Sequence, residues 1–194
     1  QGFCFVDTGY VDIYLPPTPT VDAGPDKTIF AGDQVTLDIT ATNATTYSWT
    51  PTATLSCSDC PEPIATPIVR KTTYVIVVSD DYGCKASDSV TITMTCDNSL
   101  LFMANVFTPN GDGNNDRFFP QGKGISVIYS FKVYSRWGEL MYEAYNIPIN
   151  DENYGWDGTF KGIPLDPDVY VYSIDGICIL GDRFFKKGDV SLIR

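Results

Sequence analysis

Asn110, Asp112, Asn114 and Asp116 put an oxygen-bearing side chain at every second position of Asn110-Gly-Asp-Gly-Asn-Asn-Asp116. That one-three-five-seven spacing is the one used by loops that wrap a calcium ion in side-chain oxygens. The four residues are therefore the candidate metal ligands of the chain. Two features pull the other way. Only Asp112 and Asp116 are carboxylates, and Gln121 stands where a bidentate Glu would complete a calcium loop. Asn and Asp between glycines also close turns without metal, because they cap backbone N–H groups and tolerate left-handed φ. The chemistry favours the metal-free turn, and no cofactor is expected.

Other reactive constellations are sparse. The chain has no His, so it lacks an ordinary general base near neutral pH, a Ser-His or Cys-His nucleophile pair and His-ligated zinc. Cys57 and Cys60 form a C-x-x-C with Ser-Asp between Pro-rich flanks. Without a strand-to-helix turn or a second pair, a small loop-closing disulfide is the better reading than a redox or zinc site. Asp151 and Glu152 are adjacent carboxylates of the kind used in glycoside hydrolysis, but they sit in a polar stretch and read as a solvated loop. Arg136, Trp137 and Trp156 could form a carbohydrate platform. An Arg stacked on a Trp at a hairpin turn, with both Trp residues in core or corner positions, is the simpler expectation. The chain is therefore not expected to be an enzyme.

The elements that must position these residues are strands. Of 194 residues, 43% are hydrophobic, 13% aromatic and 19% charged. That is ample for packed cores, and the mix favours strands and turns. Gln34–Thr40, Thr46–Thr50, Thr72–Ser79 and Ser89–Thr95 alternate or run apolar between turn signals, with Trp49 as a core anchor. Val127–Tyr134, Glu139–Glu143, Val169–Ile174, Gly176–Leu180 and Phe184–Leu192 repeat the habit further on. The fold class is all-β, with two consecutive immunoglobulin-like β-sandwich domains.

Cys4–Tyr14 parallels Cys84–Thr93, each placing a Cys before an alternating Val/Ile strand. Pro16-Pro-Thr-Pro-Thr20 then reads as a stiff linker. The expected organisation is residues 1–18 as the last strand of a preceding repeat, 19–96 as one complete repeat and 97–194 as a second kind of domain. On this reading Gln1 opens in mid-pattern and the chain is the C-terminal piece of something longer.

The net charge is −11. Residues 1–97 hold 12 acidic and 4 basic residues, and residues 98–194 hold 12 and 9, which supports a boundary near Cys96. An acidic surface argues against nucleic acid and anionic lipid. No apolar run approaches the ~20 residues of a membrane-spanning helix. Six cysteines in such a chain suggest an oxidising, extracytoplasmic setting.

Two resemblances join these pieces. Asp22–Asp26, Ala31–Leu37, Tyr47–Pro51, Leu55–Pro61 and Tyr82–Cys84 resemble the PKD/immunoglobulin-like repeats of large surface adhesins. In those repeats a Cys often precedes the Ala-Gly and can pair with the Gly-Cys. Here Phe30 stands at that position, which leaves the partner of Cys84 open.

Asn105–Asp116, Arg136-Trp-Gly-Glu139, Gly155-Trp-Asp-Gly158 and Lys187-Gly-Asp-Val-Ser-Leu-Ile-Arg194 resemble, in order, the motifs of the gliding-motility-associated C-terminal domain. That is the type B sorting domain of the type IX secretion system. The resemblance implies a secreted protein displayed on the outer surface of a Gram-negative bacterium. Its implied partners are the type IX secretion translocon and a PorP/SprF-like outer-membrane protein. It also implies a Cys96–Cys178 disulfide.

The implied contact residues for secretion and anchoring are Lys186, Lys187, Gly188, Val190, Leu192, Ile193 and Arg194. Val190 and Leu192 are expected to point inward, and the lysines and Arg194 outward. The rival reading is a carbohydrate-binding or accessory module of a secreted hydrolase.

Overall fold

The computed structural model describes residues 9–12 and 16–194. The strand expected around Cys4–Tyr14 falls largely outside the described residues. The first domain holds β1 (Thr20–Asp22), β2 (Lys27–Phe30), β3 (Val35–Thr36), β4 (Thr40–Thr42), β5 (Thr46–Thr50), β6 (Ile64–Ala65), β7 (Lys71–Ser79) and β8 (Lys85–Thr95). One sheet runs β2-β8-β7-β5, and the pairs β1-β4 and β3-β6 make the other layer. Tyr74, Ile76 and Val78 alternate inward along β7, and Val90 and Ile92 along β8. They close on Trp49, Leu37, Ala23 and Ala65. The buried Trp49 Nε1 donates to the Cys60 carbonyl at 3.0 Å. The indole thereby fastens the loop that the Cys57–Cys60 disulfide closes. Cys84 is exposed and has no partner among the described residues. Cys4 lies outside them.

The second domain holds β9 (Leu101–Phe102), β10 (Val106–Phe107), β11 (Gln121–Gly122), β12 (Ile125–Tyr134), β13 (Leu140–Ile147), β14 (Thr159–Phe160), β15 (Ile163–Pro164), β16 (Asp168–Cys178) and β17 (Arg183–Leu192). Its main sheet runs β10-β17-β16-β12-β13, antiparallel except for β10 against β17. One inner face carries Tyr170, Tyr172 and Ile174 of β16, Phe184 and Val190 of β17, and Ile128, Phe131 and Val133 of β12.

The expected interruption between Ile174 and Gly176 does not occur, because β16 runs unbroken from Asp168 to Cys178. Gly176 is there because the Phe184 ring lies over the strand. A Cβ would sit 2.7 Å from that ring and 3.1 Å from Ile128 Cδ1. The glycine makes room for an aromatic and does not end the strand.

The two domains meet through backbone packed closely enough to exclude side chains. Ala31, at the end of β2, is fully buried and belongs to the core of the second domain. Gly124 (φ +67°) faces it, and a Cβ there would collide with the Ala31 carbonyl. Two ion pairs flank the contact, Lys123 with Asp33 and Arg70 with Asp182. The Arg70 guanidinium nitrogen reaches both Asp182 oxygens, at 2.6 and 2.8 Å. The Cys96–Cys178 disulfide lies in the same region, tying the residue that follows β8 to the end of β16. Half-exposed ion pairs contribute little; apolar and backbone packing plus the crosslink hold this joint.

Candidate functional site: the distal tip of the second domain

Asp168 and Cys178 end β16 ten residues apart, so the joint and the far end of the sheet are separated by about 33 Å. The residues singled out by motif gather at that far end. β10 lies parallel to the close of β17, with Val106 opposite Ser191 and Phe107 opposite Leu192. Ser191 N donates to Asn105 O at 2.9 Å, and Ile193 N donates to Phe107 O at 3.1 Å. The last strand therefore runs between β10 and β16, and is not a free edge.

Beneath it Phe107, Phe118, Trp156 and Tyr170 stack edge to face and tilted. Phe107–Trp156 centroids are 5.2 Å apart and Trp156–Tyr170 centroids 4.8 Å. Phe118 and Trp156 also exchange backbone hydrogen bonds of 2.8 and 2.9 Å. Trp156 Nε1 donates to Thr159 O at 2.9 Å, and Asp157 accepts from both Thr159 N and Oγ1. Gly158 (φ +73°) must be glycine, since a Cβ would lie 2.7 Å from Leu192 Cδ1 and 2.9 Å from Pro109 Cγ. The Trp-Asp-Gly turn, the Asn/Asp loop and the chain's last residues are thus one packed unit.

The Asn110–Asp116 loop is closed by its own carboxylate. Asp116 Oδ1 accepts from Asn110 N at 3.0 Å and Gly111 N at 2.7 Å, and Oδ2 accepts from Gly113 N at 2.8 Å. Asp112 Oδ1 caps Asn114 N, and Asn110 Oδ1 caps Asp112 N. These oxygens point at N–H groups, which is the geometry of a capped turn. Among the described residues no group of three or more His, Cys, Asp or Glu is placed to hold a metal.

The backbone donors of Gly111 and Gly113, with Asn110, hold the Asp116 carboxyl below its ordinary value. The sign follows: with the folded pKa below the unfolded ~3.9, the loop is fully braced above that value and loses its brace as pH falls through the folded pKa. NMR titration of the Gly111 and Gly113 amides should show a midpoint below ~3.9, and a midpoint at or above it contradicts this bracing.

The expected contact residues divide by strand parity. Even positions of β17 face inward and odd positions outward. Val190 and Leu192 lie in the core, as alternation places them. Gly188 sits beneath Tyr172, whose ring would be 2.8 Å from a Cβ there, so it is not presented to a partner. Lys186 departs from the expectation that both lysines point outward. It is on the inward parity, where the sheet overhangs the incoming chain, and its ammonium donates to the carbonyls of Leu101 and Asn98. That leaves Lys187, Ile193 and Arg194 facing solvent. Arg194 Nη2 makes only a long contact of 3.5 Å with Gly158 O. Arg183, at the joint end, is held by Asp175 through two hydrogen bonds of 2.6 and 2.9 Å.

The two motif tryptophans part company. Trp156 is fully buried, whereas Trp137 is 90% exposed, which corrects the expectation that both fill core or corner positions. Trp137 rides the β12–β13 turn, where nothing packs over it. Its exposure had no signal in the sequence, since each tryptophan stands beside a charged residue and a glycine. Arg136 Nη1 lies 3.8 Å from Asp168, and Asp168 is registered against Leu192, so this turn belongs to the same tip. Asp151 accepts from Asn153 N and Nδ2 at 3.0 and 2.9 Å. It caps a short turn, as a solvated loop residue does. No helix among the described residues is long and apolar enough to cross a membrane.

Residues 101–184 match the family model of the CHU_C type IX secretion signal domain. The second domain carries this match to a type IX secretion signal, which makes the chain a secreted or cell-surface protein with a sorting signal that the type IX secretion system handles. No curated protein matches the chain.

Among solved structures, mouse cadherin-23 EC22-24 aligns over 90% of this chain and 66% of its own, at 12% identity and a TM-score of 0.38. The N-terminal eight Ig domains of Down Syndrome Cell Adhesion Molecule align over 91% and 24%, at 9% identity and 0.41. The Bacteroides ovatus protein SGBP-B, solved with a mixed-linkage heptasaccharide, aligns over 92% and 48%, at 13% identity and 0.33. The chain spans less than two thirds of each, and likeness at this level says nothing about function.

Proposed function

Starting from a C-terminal domain that is a type IX secretion signal, we propose that this chain is the C-terminal part of a non-enzymatic surface adhesin of the gliding-motility type. The second domain is its export address and its attachment module on the outer surface of a Gram-negative bacterium. A PorP/SprF-like outer-membrane protein is the receptor. The first domain is a stalk unit that projects the rest of the protein outward. The Asn110–Asp116 loop works in this reading as a metal-free brace.

The observation that supports the reading most is the placement of two exposed residues of the last motif. Ile193 and Arg194 emerge at the tip farthest from the first domain, held by β10 on one side and β16 on the other. A receptor can reach the tip without disturbing the joint, and the Arg194 guanidinium, held by a single 3.5 Å contact, suits an acidic pocket through bidentate pairing.

The test is a fluorescent protein fused ahead of the whole 194-residue chain, followed for appearance on the cell surface. The whole chain is needed because Ala31 completes the core of the second domain. Removing only Ile193–Arg194 should abolish display with little effect on folding, since Leu192 and Val190 stay in place. Normal display of that truncated fusion would refute the reading.

A further inference from the structure

Trp137 is the one exposed tryptophan of the three, and the turn that carries it is closely hydrogen-bonded. Ser135 N donates to Glu139 O at 2.8 Å and Gly138 N to Ser135 O at 2.9 Å. The Ser135 hydroxyl accepts from Trp137 N and Glu139 N at 3.3 and 3.2 Å. Gly138 supplies the left-handed residue, with φ +84°. The indole is therefore held out in water with little backbone freedom left to lose, although exposing it does nothing for stability. Aromatic anchors of this kind, pre-ordered and apolar, dominate the energetics of protein interfaces. Arg136 stands beside it, Arg194 and Ile193 belong to the same tip, and Ile193 is also half exposed.

We propose that Trp137 is the anchor by which this tip docks, seated in an apolar socket rimmed by carboxylates on the protein that receives the domain. The proposal rests on the sorting function above and adds the residue and the chemistry of the contact. A protein socket is favoured over lipid because an extended anionic bilayer faces the whole chain, whose net charge is −11, and is repelled, whereas a socket meets only the side chains around Trp137. The guanidiniums of Arg136 and Arg194 at the tip would complement acidic rim residues. Both arginines are positions where a partner's carboxylates would displace only a 3.8 Å ion pair and a 3.5 Å hydrogen bond.

The experiment uses the full-chain surface-display fusion with Trp137→Ala, beside the purified chain. Display should fall about tenfold or more, as for an interface hot spot, while the melting midpoint of the purified variant stays at the wild-type value. Trp49 and Trp156 are fully buried, so the water-exposed tryptophan emission comes from Trp137. That emission should not change with vesicles of zwitterionic and anionic phospholipid, or with soluble β-glucan oligosaccharides. Wild-type display by Trp137→Ala, with loss of display on removing Ile193–Arg194, would overturn this inference and leave the sorting reading standing. A Trp137 blue shift on adding vesicles would overturn it in favour of a membrane anchor, and one on adding oligosaccharide in favour of a glycan site. If the wild-type fusion itself stays inside the cell, both the sorting reading and this inference fall.

Discussion

Replacing Trp156 with Ala is expected to cost about 3–5 kcal/mol of folding stability, the range for emptying a large aromatic from a packed core. Trp156 is fully buried against Phe107 and Tyr170. Its backbone bridges Phe118, and its indole N–H has a partner in Thr159 O. Deleting the side chain empties the space under the last strand and strands that carbonyl. Trp156→Phe should be milder, at about 1–2 kcal/mol beyond the lost ring area, because it removes the hydrogen bond but keeps an aromatic. Equilibrium denaturation in urea reads both. Trp137→Ala is the matched control, expected within about 0.5 kcal/mol of wild type as an exposed substitution. A Trp156→Ala loss below about 1 kcal/mol would mean that the aromatic cluster does not hold the tip together, since core truncations of this size cost more.

Removing the Cys96–Cys178 crosslink by the paired substitution to Ala is expected to cost about 4–5 kcal/mol. The bond joins residues 82 positions apart, and chain-entropy reasoning for a loop of that length gives about 4.5 kcal/mol. Removing Cys57–Cys60, which spans a separation of 3, should cost at most about 2 kcal/mol on the same reasoning. The contrast is the test. Two denaturation curves, one per double variant, should differ by at least about 2 kcal/mol in that order. Equal losses would show that the long-range bond does not restrict the unfolded chain as argued. The long-range variant should also loosen the joint, because Cys178 borders the Asp182 turn that Arg70 grips. A larger radius of gyration in scattering would record this.

Much of this protein is legible in its sequence because the relevant rules are local. Period-two alternation in the stretches that became β7, β8, β16 and β17 settles which side chains face inward, so Val190 and Leu192 are placed by spacing alone. Turn chemistry around Gly111, Gly113 and Gly158 follows from residue type. The first three motifs, within residues 105–158, fall inside the stretch 101–184 that matches the secretion signal family model.

What tertiary structure alone decided is which of several locally equivalent residues meets a neighbour from far along the chain. Trp137 and Trp156 both stand in charged, glycine-containing turns, yet only Trp156 meets Phe107, Phe118 and Tyr170. Lys186 and Lys187 are adjacent, yet only Lys186 finds the carbonyls of Leu101 and Asn98. Gly176 has no evident reason to be glycine until Phe184 is laid across it. Ala31 belongs by sequence to the first domain and by packing to the core of the second. Spacing and composition act within a few residues, whereas burial and hydrogen-bond partnership depend on segments brought together only when the sheets close.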